Sequence, residues 1–363
     1  MMRLAHVAIN TSALKHNLAR IQALAPESRV LAMVKADGYG HDAVQMAKAL
    51  SKADAVGVAR IGEAITLIQA GVEADIVLME GCFDIAEYEL AIEHGFQLVI
   101  HNDTQLAQFL SLKTDASIRV WLKLDTGMHR LGFSPEQYRE SYRALKQCTH
   151  CHQDIVLMTH FACADDPDNS FNEQQLSLFQ DASSDLNGLV SIANSATILT
   201  RPDRHLDWVR PGIILYGASP VLGTTAADFQ LKPVMTFSSN VIAVKRIAKG
   251  ERVGYGGDWQ AARDTVLAVI GVGYGDGYPR HAKSGTPVLV KGARAQLVGR
   301  VSMDMITVDV TDLAPVSIGD AVTLWGEGLP AEEVAEWAST ISYTLFCGIT
   351  NRVARSYVRS EKQ

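Results

Sequence analysis

The pattern of hydrophobic and polar positions divides the chain into two parts. Between residues 29 and 210, short apolar runs alternate with longer stretches whose apolar residues recur at helical spacing. We interpret eight of these runs as strands: RVLAMVK, DAVGVA, ADIVLM, FQLVI, SIRVWLKL, DIVLMTH, LVSIA and LDWVR. Apolar strands separated by helices pair in parallel beneath a cover of helices, so the pattern predicts an α/β fold, a (β/α)8 barrel of the TIM type. An open doubly wound sheet is the alternative.

Beyond residue 228 the pattern changes to strands rich in Val, Thr and Gly, such as TVLAVIGVGYG and AQLVGRVSMDMITVDV. In this half only PAEEVAEWASTI reads as a clear helix. We therefore predict two domains, a barrel over residues 10–228 and a mainly β domain over residues 229–363 with residues 1–9. The stretch TSALKHNLARIQAL predicts the first helix, with Thr11 or Ser12 as its N-cap.

Composition and charge narrow the class of protein. The chain has 363 residues, 47% of them hydrophobic and 20% charged, which is typical of a globular protein. Its net charge is −7 and it has no block of like charge, so we expect no nucleic-acid or membrane partner. No apolar run approaches the roughly 18 residues of a membrane span. The start, MMRLAHVAIN, lacks the features of a signal peptide, so we expect a cytoplasmic enzyme.

The five cysteines are scattered and odd in number, which argues against a disulfide framework. CTHCH, at residues 148–152, matches the attachment motif of c-type haem. We interpret this match as chance, because the motif ends a polar helical stretch and nothing in the sequence signals export. A zinc site would need a second cysteine pair or a properly spaced histidine pair, and we expect no metal.

Polar side chains finish five of the predicted strands. The C-terminal ends of the strands form the active site of a (β/α)8 barrel. The side chains that meet there by this rule are Lys35, Lys123 with Asp125 and Arg130, His160, Asn194 with Ser195, and Arg210 followed by Gly212. Glycine amides and a serine hydroxyl suit a phosphate, an imidazole can stack on a flat ring, and an arginine can face a ring nitrogen. With a reactive lysine amine, these groups predict pyridoxal phosphate.

Nine segments of the chain resemble the alanine racemase family, in the family's order and over nearly the whole length. They are VKADGYGH, LKLDTGMHRLGF, MTHFACADD, ANSA, VRPGIILYG, VGYGGDW, GVGYGDGYPR, GRVSMDMITVDV and ISYTLFCGITNRVARSY. The resemblance implies an isomerase that uses pyridoxal 5'-phosphate to interconvert L-alanine and D-alanine. It also implies a barrel joined to a β domain, and a homodimer with shared active sites.

Residue roles follow from the same resemblance. Lys35 and Tyr255 would be the two bases on opposite faces of the substrate, with Tyr255 contributed by the second subunit. The cofactor would be held by Lys35, Tyr39, His160, Ser195, Arg210, Gly212, Ile213 and Tyr343. The substrate would be bound by Arg130, Tyr274 and Met303. Lys123 matches a lysine that is carbamylated in many members of the family.

Some questions stay open at this stage. Ser191 stands where some relatives have a histidine behind Arg210, so we expect a more loosely oriented Arg210. A decarboxylase of related fold and a non-catalytic pyridoxal-phosphate carrier are the alternative functions. The β domain with Tyr255 favours the racemase, because it supplies a second base. Whether the enzyme makes D-alanine for the cell wall or degrades it is not settled by the sequence.

Overall fold

The structure is a computed structural model that describes residues 4–358. It divides into two compact units. The barrel unit comprises residues 18–215 and 220–223, and the β unit comprises the described residues 4–17, 216–219 and 224–358. No helix among the described residues is both long enough and apolar enough to cross a membrane.

The described chain opens with strand β1 (His6–Asn10) and helix α1 (Thr11–Leu24). The carboxamide Oδ1 of Asn10 accepts hydrogen bonds from the backbone N–H groups of Ser12 and Ala13, both at 3.0 Å. Asn10 is therefore the N-cap, and the prediction of Thr11 or Ser12 was wrong. The last residue of a strand can cap the following helix when its side chain is an amide, which the helical periodicity does not reveal.

The barrel unit contains eight parallel strands, in the spatial order β8-β7-β6-β5-β4-β3-β2-β9. Their bounds are β2 (Arg29–Met33), β3 (Ala55–Val58), β4 (Ile76–Leu78), β5 (Gln97–Ile100), β6 (Val120–Lys123), β7 (Val156–Met158), β8 (Leu189–Ser191) and β9 (Trp208–Val209). A parallel bridge between Asn194 and Arg210 joins the ends of β8 and β9 and closes the ring. The predicted TIM-type barrel is therefore confirmed, and the open sheet was wrong.

Helices and helical turns follow the barrel strands. They are α2 (Lys35–Gly40), α3 (Ala43–Ala49), α4 (Ile61–Gln69), α5 (Ile85–His94), α6 (Asp103–Ser111), α7 (Pro135–Gln147), α8 (Phe171–Ser183), α9 (Ser195–Thr200) and the 3-10 turns Pro202–Arg204 and Ile213–Tyr216. Side-chain oxygens of Asp84, Asn102 and Ser134 cap α5, α6 and α7 by accepting backbone N–H groups. Buried on both faces, the barrel strands carry Trp121 and Trp208, whose rings pack edge-on at 5.2 Å.

The β unit is built around a closed antiparallel ring. The ring runs β13-β16-β15-β14-β17-β10 and closes where β10 also pairs with β13. Beside it, β1 pairs antiparallel with β10 and parallel with β18. The strands are β10 (Met235–Ile247), β11 (Arg252–Val253), β12 (Trp259–Gln260), β13 (Thr265–Ile270), β14 (Pro287–Val290), β15 (Ala293–Leu297), β16 (Ile306–Asp309), β17 (Ala321–Trp325) and β18 (Ala354–Val358).

Two α-helices lie in the second half of the β unit, α10 (Ala331–Trp337) and α11 (Ser342–Cys347). The unit also contains the 3-10 turns Ala226–Phe229, Tyr255–Gly257 and Tyr274–Asp276. The stretch PAEEVAEWASTI forms α10 as predicted, whereas α11 was not predicted. With only 6 residues, α11 does not complete two turns, so it shows no recurring apolar face in the sequence.

Candidate active site

Lys35 opens a left-handed turn at the C-terminal end of β2. The next four residues, Ala36 to Tyr39, have φ between 53° and 60° and ψ between 41° and 52°. Three of them are not glycine, and each L-residue in this region costs roughly 1–2 kcal/mol relative to the right-handed helix. The N–H of Gly38 donates to the carbonyl of Val34 at 2.8 Å. The strained turn thus helps to determine the position of Lys35.

The left-handed turn brings the Tyr39 hydroxyl against Gly212. A Cβ atom placed on Gly212 would lie 2.3 Å from Tyr39 Oη, so any larger residue here would displace the tyrosine hydroxyl. The N–H of Gly212 donates to Ser195 Oγ at 2.8 Å, and the buried Ile213 follows. Two hydroxyl groups and a glycine backbone therefore converge inside the barrel unit. Such a cradle can bind the oxygens of a phosphate without a competing side chain.

The Arg210 guanidinium is buried and held by four acceptors. Its Nη1 donates to the Ser191 carbonyl and to Ser191 Oγ, both at 2.7 Å. Its Nη2 donates to the Thr159 carbonyl at 2.7 Å and lies 3.4 Å from Nδ1 of His160. Burial lowers the pKa of Arg210 to about 10, so it remains a cation at neutral pH. Ser191 thus holds Arg210 through both its carbonyl and its hydroxyl, and the looser orientation expected relative to histidine-bearing relatives stays a prediction.

A cluster of cations surrounds the strand ends. Burial, together with the charges of Arg210, Arg130 and Lys35, lowers the pKa of Lys123 to about 8. Burial and the charges of the same neighbours hold the pKa of His160 well below its ordinary value, so its imidazole is neutral at pH 7. The four positive groups are Lys35, Lys123, Arg130 and Arg210. Because they repel one another, together they attract an anionic ligand.

His101 belongs to the same region, and we did not select it from the sequence. It directly follows β5, where its Nε2 lies 3.1 Å from the Glu80 carbonyl and its Nδ1 lies 3.2 Å from Asn102 Nδ2. Burial lowers its pKa, and the Lys123 charge acts in the same direction. The rule that strand-ending polar residues face the site, applied to FQLVI, was the signal that would have found it.

Gln175 links the segments that follow β6 and β7. Fully buried on α8, its Nε2 donates to Thr126 Oγ1 at 3.0 Å and to the His160 carbonyl at 3.2 Å. Its Oε1 accepts from the Ala162 N–H at 2.9 Å, and Thr126 Oγ1 lies 2.9 Å from Thr159 Oγ1. Because Thr159 in turn bonds Arg210, the network supports the guanidinium. A glutamine within a helix gives no sequence signal of this role.

The C-x-x-C-H segment ends α7 and continues as a loop. Cys148 Sγ lies 3.2 Å from His150 Nε2, which also lies 2.8 Å from the Phe109 carbonyl. Burial raises the pKa of Cys151 to about 12, so its thiol is a poor metal ligand at neutral pH. Among the described residues, no group of three or more His, Cys, Asp or Glu side chains is arranged to hold a metal ion.

The β unit places Tyr274 and Met303 on adjacent loops. The Tyr274 N–H donates to the Ser302 carbonyl at 3.0 Å, and the N–H of the following glycine donates to the Met303 carbonyl at 2.8 Å. A Cβ on Gly273 would lie 2.3 Å from these carbonyls, so the loops approach more closely than any side chain permits. Met303 is 53% exposed and Tyr274 is 39% exposed.

Tyr255 lies on a glycine-rich turn and is 68% exposed. An ion pair between Asp258 and Arg300 ties this turn to the loop that leads to Met303. Tyr343 lies on α11 and is half-buried. The predicted site residues therefore fall into two groups. The barrel unit holds Lys35, Tyr39, Lys123, Arg130, His160, Ser195, Arg210, Gly212 and Ile213, and the β unit holds Tyr255, Tyr274, Met303 and Tyr343.

Comparison with known proteins gives two family matches that together cover most of the chain. The N-terminal domain of alanine racemase matches residues 9–220, and its C-terminal domain matches residues 234–357. The chain belongs to the alanine racemase family. This membership confirms the predicted barrel with a β domain, the isomerase activity of an amino-acid racemase, and pyridoxal phosphate as the cofactor.

Individual members of the alanine racemase family match this chain over nearly its full length. The alanine racemase of Shewanella woodyi is 49% identical over 346 residues, which are 95% of this chain and 97% of that protein. The biosynthetic alanine racemase of Escherichia coli is 48% identical and covers 98% of this chain and 100% of its own.

Solved structures of alanine racemases have the same fold. The biosynthetic enzyme of Pseudomonas aeruginosa superposes with a TM-score of 0.95 at 44% identity, covering 99% of this chain and 100% of that one. The enzyme of Bartonella henselae, described with covalently bound pyridoxal phosphate, gives a TM-score of 0.88 at 30% identity and covers 98% of this chain and 99% of its own.

Proposed function

We propose that this chain interconverts L-alanine and D-alanine by a two-base mechanism, with Lys35 and Tyr255 on opposite faces of the substrate. The observation that carries the proposal is the cluster of Lys35, Lys123, Arg130 and Arg210 at the strand ends, beside the cradle around Gly212. This donor set fits an anionic, phosphate-bearing cofactor and a carboxylate substrate. Pyridoxal phosphate, when bound, supplies an electron-withdrawing ring that acidifies the Cα–H bond of the amino acid.

Lys35 and Tyr255 would move the proton of alanine. The Lys35 amine would hold the cofactor and would remove or return the Cα proton on one face. When Lys35 removes the proton, the Tyr255 hydroxyl would return one on the other face, and when Lys35 returns it, Tyr255 would remove it. Racemisation needs a proton donor and an acceptor on both sides. We assign Tyr255 to the site of a partner subunit in a homodimer. Its 68% exposure supports this, since the side chain must be accessible to another chain.

The cofactor's phosphate would be held by Tyr39, Ser195, Gly212, Ile213 and Tyr343, and its ring by His160 and Arg210. The neutral imidazole of His160 suits stacking beside a ring, because it adds no further positive charge. Arg210 would face the ring nitrogen. A buried guanidinium with a pKa of about 10 is a poor proton donor at pH 7, so the ring nitrogen would stay unprotonated.

Arg130 would orient the carboxylate of alanine, together with Tyr274 and the backbone N–H of Met303. We further propose that Lys123 is carbamylated. Its amine would add to carbon dioxide and release a proton, giving a carbamate anion beside Arg130. Only the neutral amine reacts in this way, and a pKa of about 8 makes that form accessible near neutral pH. The new negative charge would offset the repulsion among the cations.

For the whole protein, we propose a cytoplasmic homodimer that supplies D-alanine for the cell wall. The barrel, residues 10–228, would bind the cofactor, and residues 229–363 with residues 1–9 would supply the second base. Two of the relatives, from Escherichia coli and Pseudomonas aeruginosa, are described as biosynthetic, which supports this role. The decarboxylase and carrier alternatives are not favoured, because both domains of alanine racemase match the chain.

Borohydride reduction tests the role of Lys35. The loaded enzyme is reduced, digested and mapped by mass spectrometry, and racemisation is assayed over a panel of amino acids. We expect the cofactor's mass on the peptide that contains Lys35, and the fastest racemisation with alanine. The cofactor's mass on any other lysine would contradict the assignment.

Subunit exchange tests the role of Tyr255. Lys35→Ala and Tyr255→Phe, each nearly inactive alone, are mixed and allowed to exchange. A heterodimer then contains one site in which both bases are intact, so activity should return. If no activity returns although mass spectrometry detects heterodimers, the two bases do not come from different chains.

A further inference from the structure

The left-handed turn after Lys35 needs an external support. Ala36, Asp37 and Tyr39 are L-residues in a conformation that is unfavourable without surrounding contacts. Inside the turn, Asp37 Oδ1 accepts the Ala43 N–H at 3.0 Å, which ties it only to the next helix of its own segment. A contact from a different β/α segment would be needed to fix its position in the barrel.

Glu63 makes that contact. Its Oε1 accepts the N–H of Ala36, the first left-handed residue, at 2.7 Å. Its Oε2 accepts the N–H groups of Ala59 at 2.7 Å and Arg60 at 3.3 Å, in the loop between β3 and α4. One carboxylate thus joins the residue after Lys35 to the neighbouring strand's loop. Bonds from amides to an ionised carboxylate are stronger than neutral ones.

We propose that Glu63 is a positioning residue for the racemase, which fixes the left-handed turn and thereby the direction of the Lys35 amine. The inference rests on the proposed role of Lys35. Glu63 bonds backbone amides and does not hold the reacting atoms. Its effect on the reaction passes through the backbone of Ala36, which adjoins the lysine. Displacing a catalytic group by about 1 Å can lower a rate about a hundredfold, so this backbone bond bears on catalysis.

The chain contains a matched control for Glu63. Glu87 is also the third residue of its helix, α5, and its Oε2 accepts the N–H of Phe83 in the preceding loop at 2.8 Å. Its own N–H donates to the capping carboxylate of Asp84. Glu87 therefore has the same helix-capping role as Glu63, with hydrogen bonds inside its own segment. Glu87→Ala removes a cap without touching the turn after Lys35.

Hydrogen exchange in the cofactor-free protein tests the structural part. Glu63→Ala, Glu63→Gln and Glu87→Ala are compared by mass spectrometry, using a peptide that spans residues 33–43. In Glu63→Ala we expect this peptide to exchange about tenfold faster, as the loss of one hydrogen bond predicts. Glu63→Gln keeps an acceptor oxygen and should exchange at an intermediate rate. In Glu87→Ala the peptide should exchange as in the parent, while residues 83–87 exchange faster.

Kinetics test the functional part. In Glu63→Ala we expect kcat to fall about tenfold to a hundredfold with KM nearly unchanged, as for a displaced catalytic group. The rate of borohydride reduction at Lys35 should change with it, and Glu63→Gln should recover part of kcat. An unchanged exchange rate at residues 33–43 in Glu63→Ala would overturn the inference, as would equal losses of kcat in Glu63→Ala and Glu87→Ala. Faster exchange with borohydride label on another lysine would instead refute the role of Lys35.

Discussion

The buried charge of Lys123 should lower the free energy of unfolding in a way that depends on pH. Lys123 is 8% exposed, and its pKa falls from 10.5 to about 8 in the folded state. This difference corresponds to roughly 3 kcal/mol, because one pKa unit is worth about 1.36 kcal/mol. Below pH 8 the lysine is protonated in both states, and the folded protein bears the whole of this penalty. Between pH 8 and 10.5 the unfolded state binds more protons, so the free energy of unfolding rises with pH.

Lys123→Met removes the charge and keeps an apolar side chain of similar length. In cofactor-free protein and buffer depleted of carbon dioxide, we expect the variant to be more stable than the parent at pH 7, by up to about 3 kcal/mol. The difference should shrink steadily toward pH 10.5. The free energy of unfolding is measured by urea denaturation at several pH values. Tryptophan fluorescence, to which the buried Trp121 and Trp208 of the barrel unit contribute, follows the unfolding.

Two controls complete the experiment. Lys113 is exposed in the same unit, so Lys113→Met should leave the pH dependence of the parent unchanged. Bicarbonate should stabilise the parent and not Lys123→Met, because only the parent can form the carbamate. A stability difference between parent and Lys123→Met that stays constant from pH 7 to 10 would refute the reasoning about the buried cation.

Two further substitutions probe the cradle and the buried network. Gly212→Ala places a methyl group 2.3 Å from Tyr39 Oη, and overpacking of this kind costs about 1–3 kcal/mol, so the affinity for pyridoxal phosphate should fall about tenfold. Adding Tyr39→Phe, which removes the clashing oxygen, should restore part of the affinity measured by fluorescence titration; no recovery would contradict the proposed clash. Gln175→Leu leaves the partners of a fully buried amide unsatisfied and should lower the free energy of unfolding by about 3 kcal/mol. Gln22→Leu, which removes an exposed bond to the Lys52 carbonyl, is the control, and an equal loss in both variants would show that burial of Gln175 does not matter.

The sequence predicts what depends on repeated patterns. Alternating apolar strands and helices indicate the barrel, and the rule that strand-ending residues line its mouth selects Lys35, Lys123, His160 and Arg210. In the structure, the charges of Lys35 and Arg210 lower the pKa values of Lys123 and His160, so these residues lie near one another. The same rule, applied to every strand, would also have selected His101.

Other features depend on contacts between segments, and no local pattern contains them. Nothing about Ala36 or Tyr39 indicates a left-handed conformation, because neither residue type favours it. Glu63 reads as an ordinary helix-capping residue, and its bond to Ala36 exists only because β2 and β3 are neighbours. The capping role of Asn10 likewise depends on where β1 ends.

The pairing of β1 with β10 and β18 has a consequence for synthesis. Strand β1 finds its partners only after the whole barrel sequence has been made, and its parallel partner β18 ends at Val358. Because domains fold as units during translation, the barrel can fold on the ribosome while β1 is still unpaired. The β unit is then completed only once β18 has been made, and premature termination anywhere before Ala354 leaves β1 without its parallel partner.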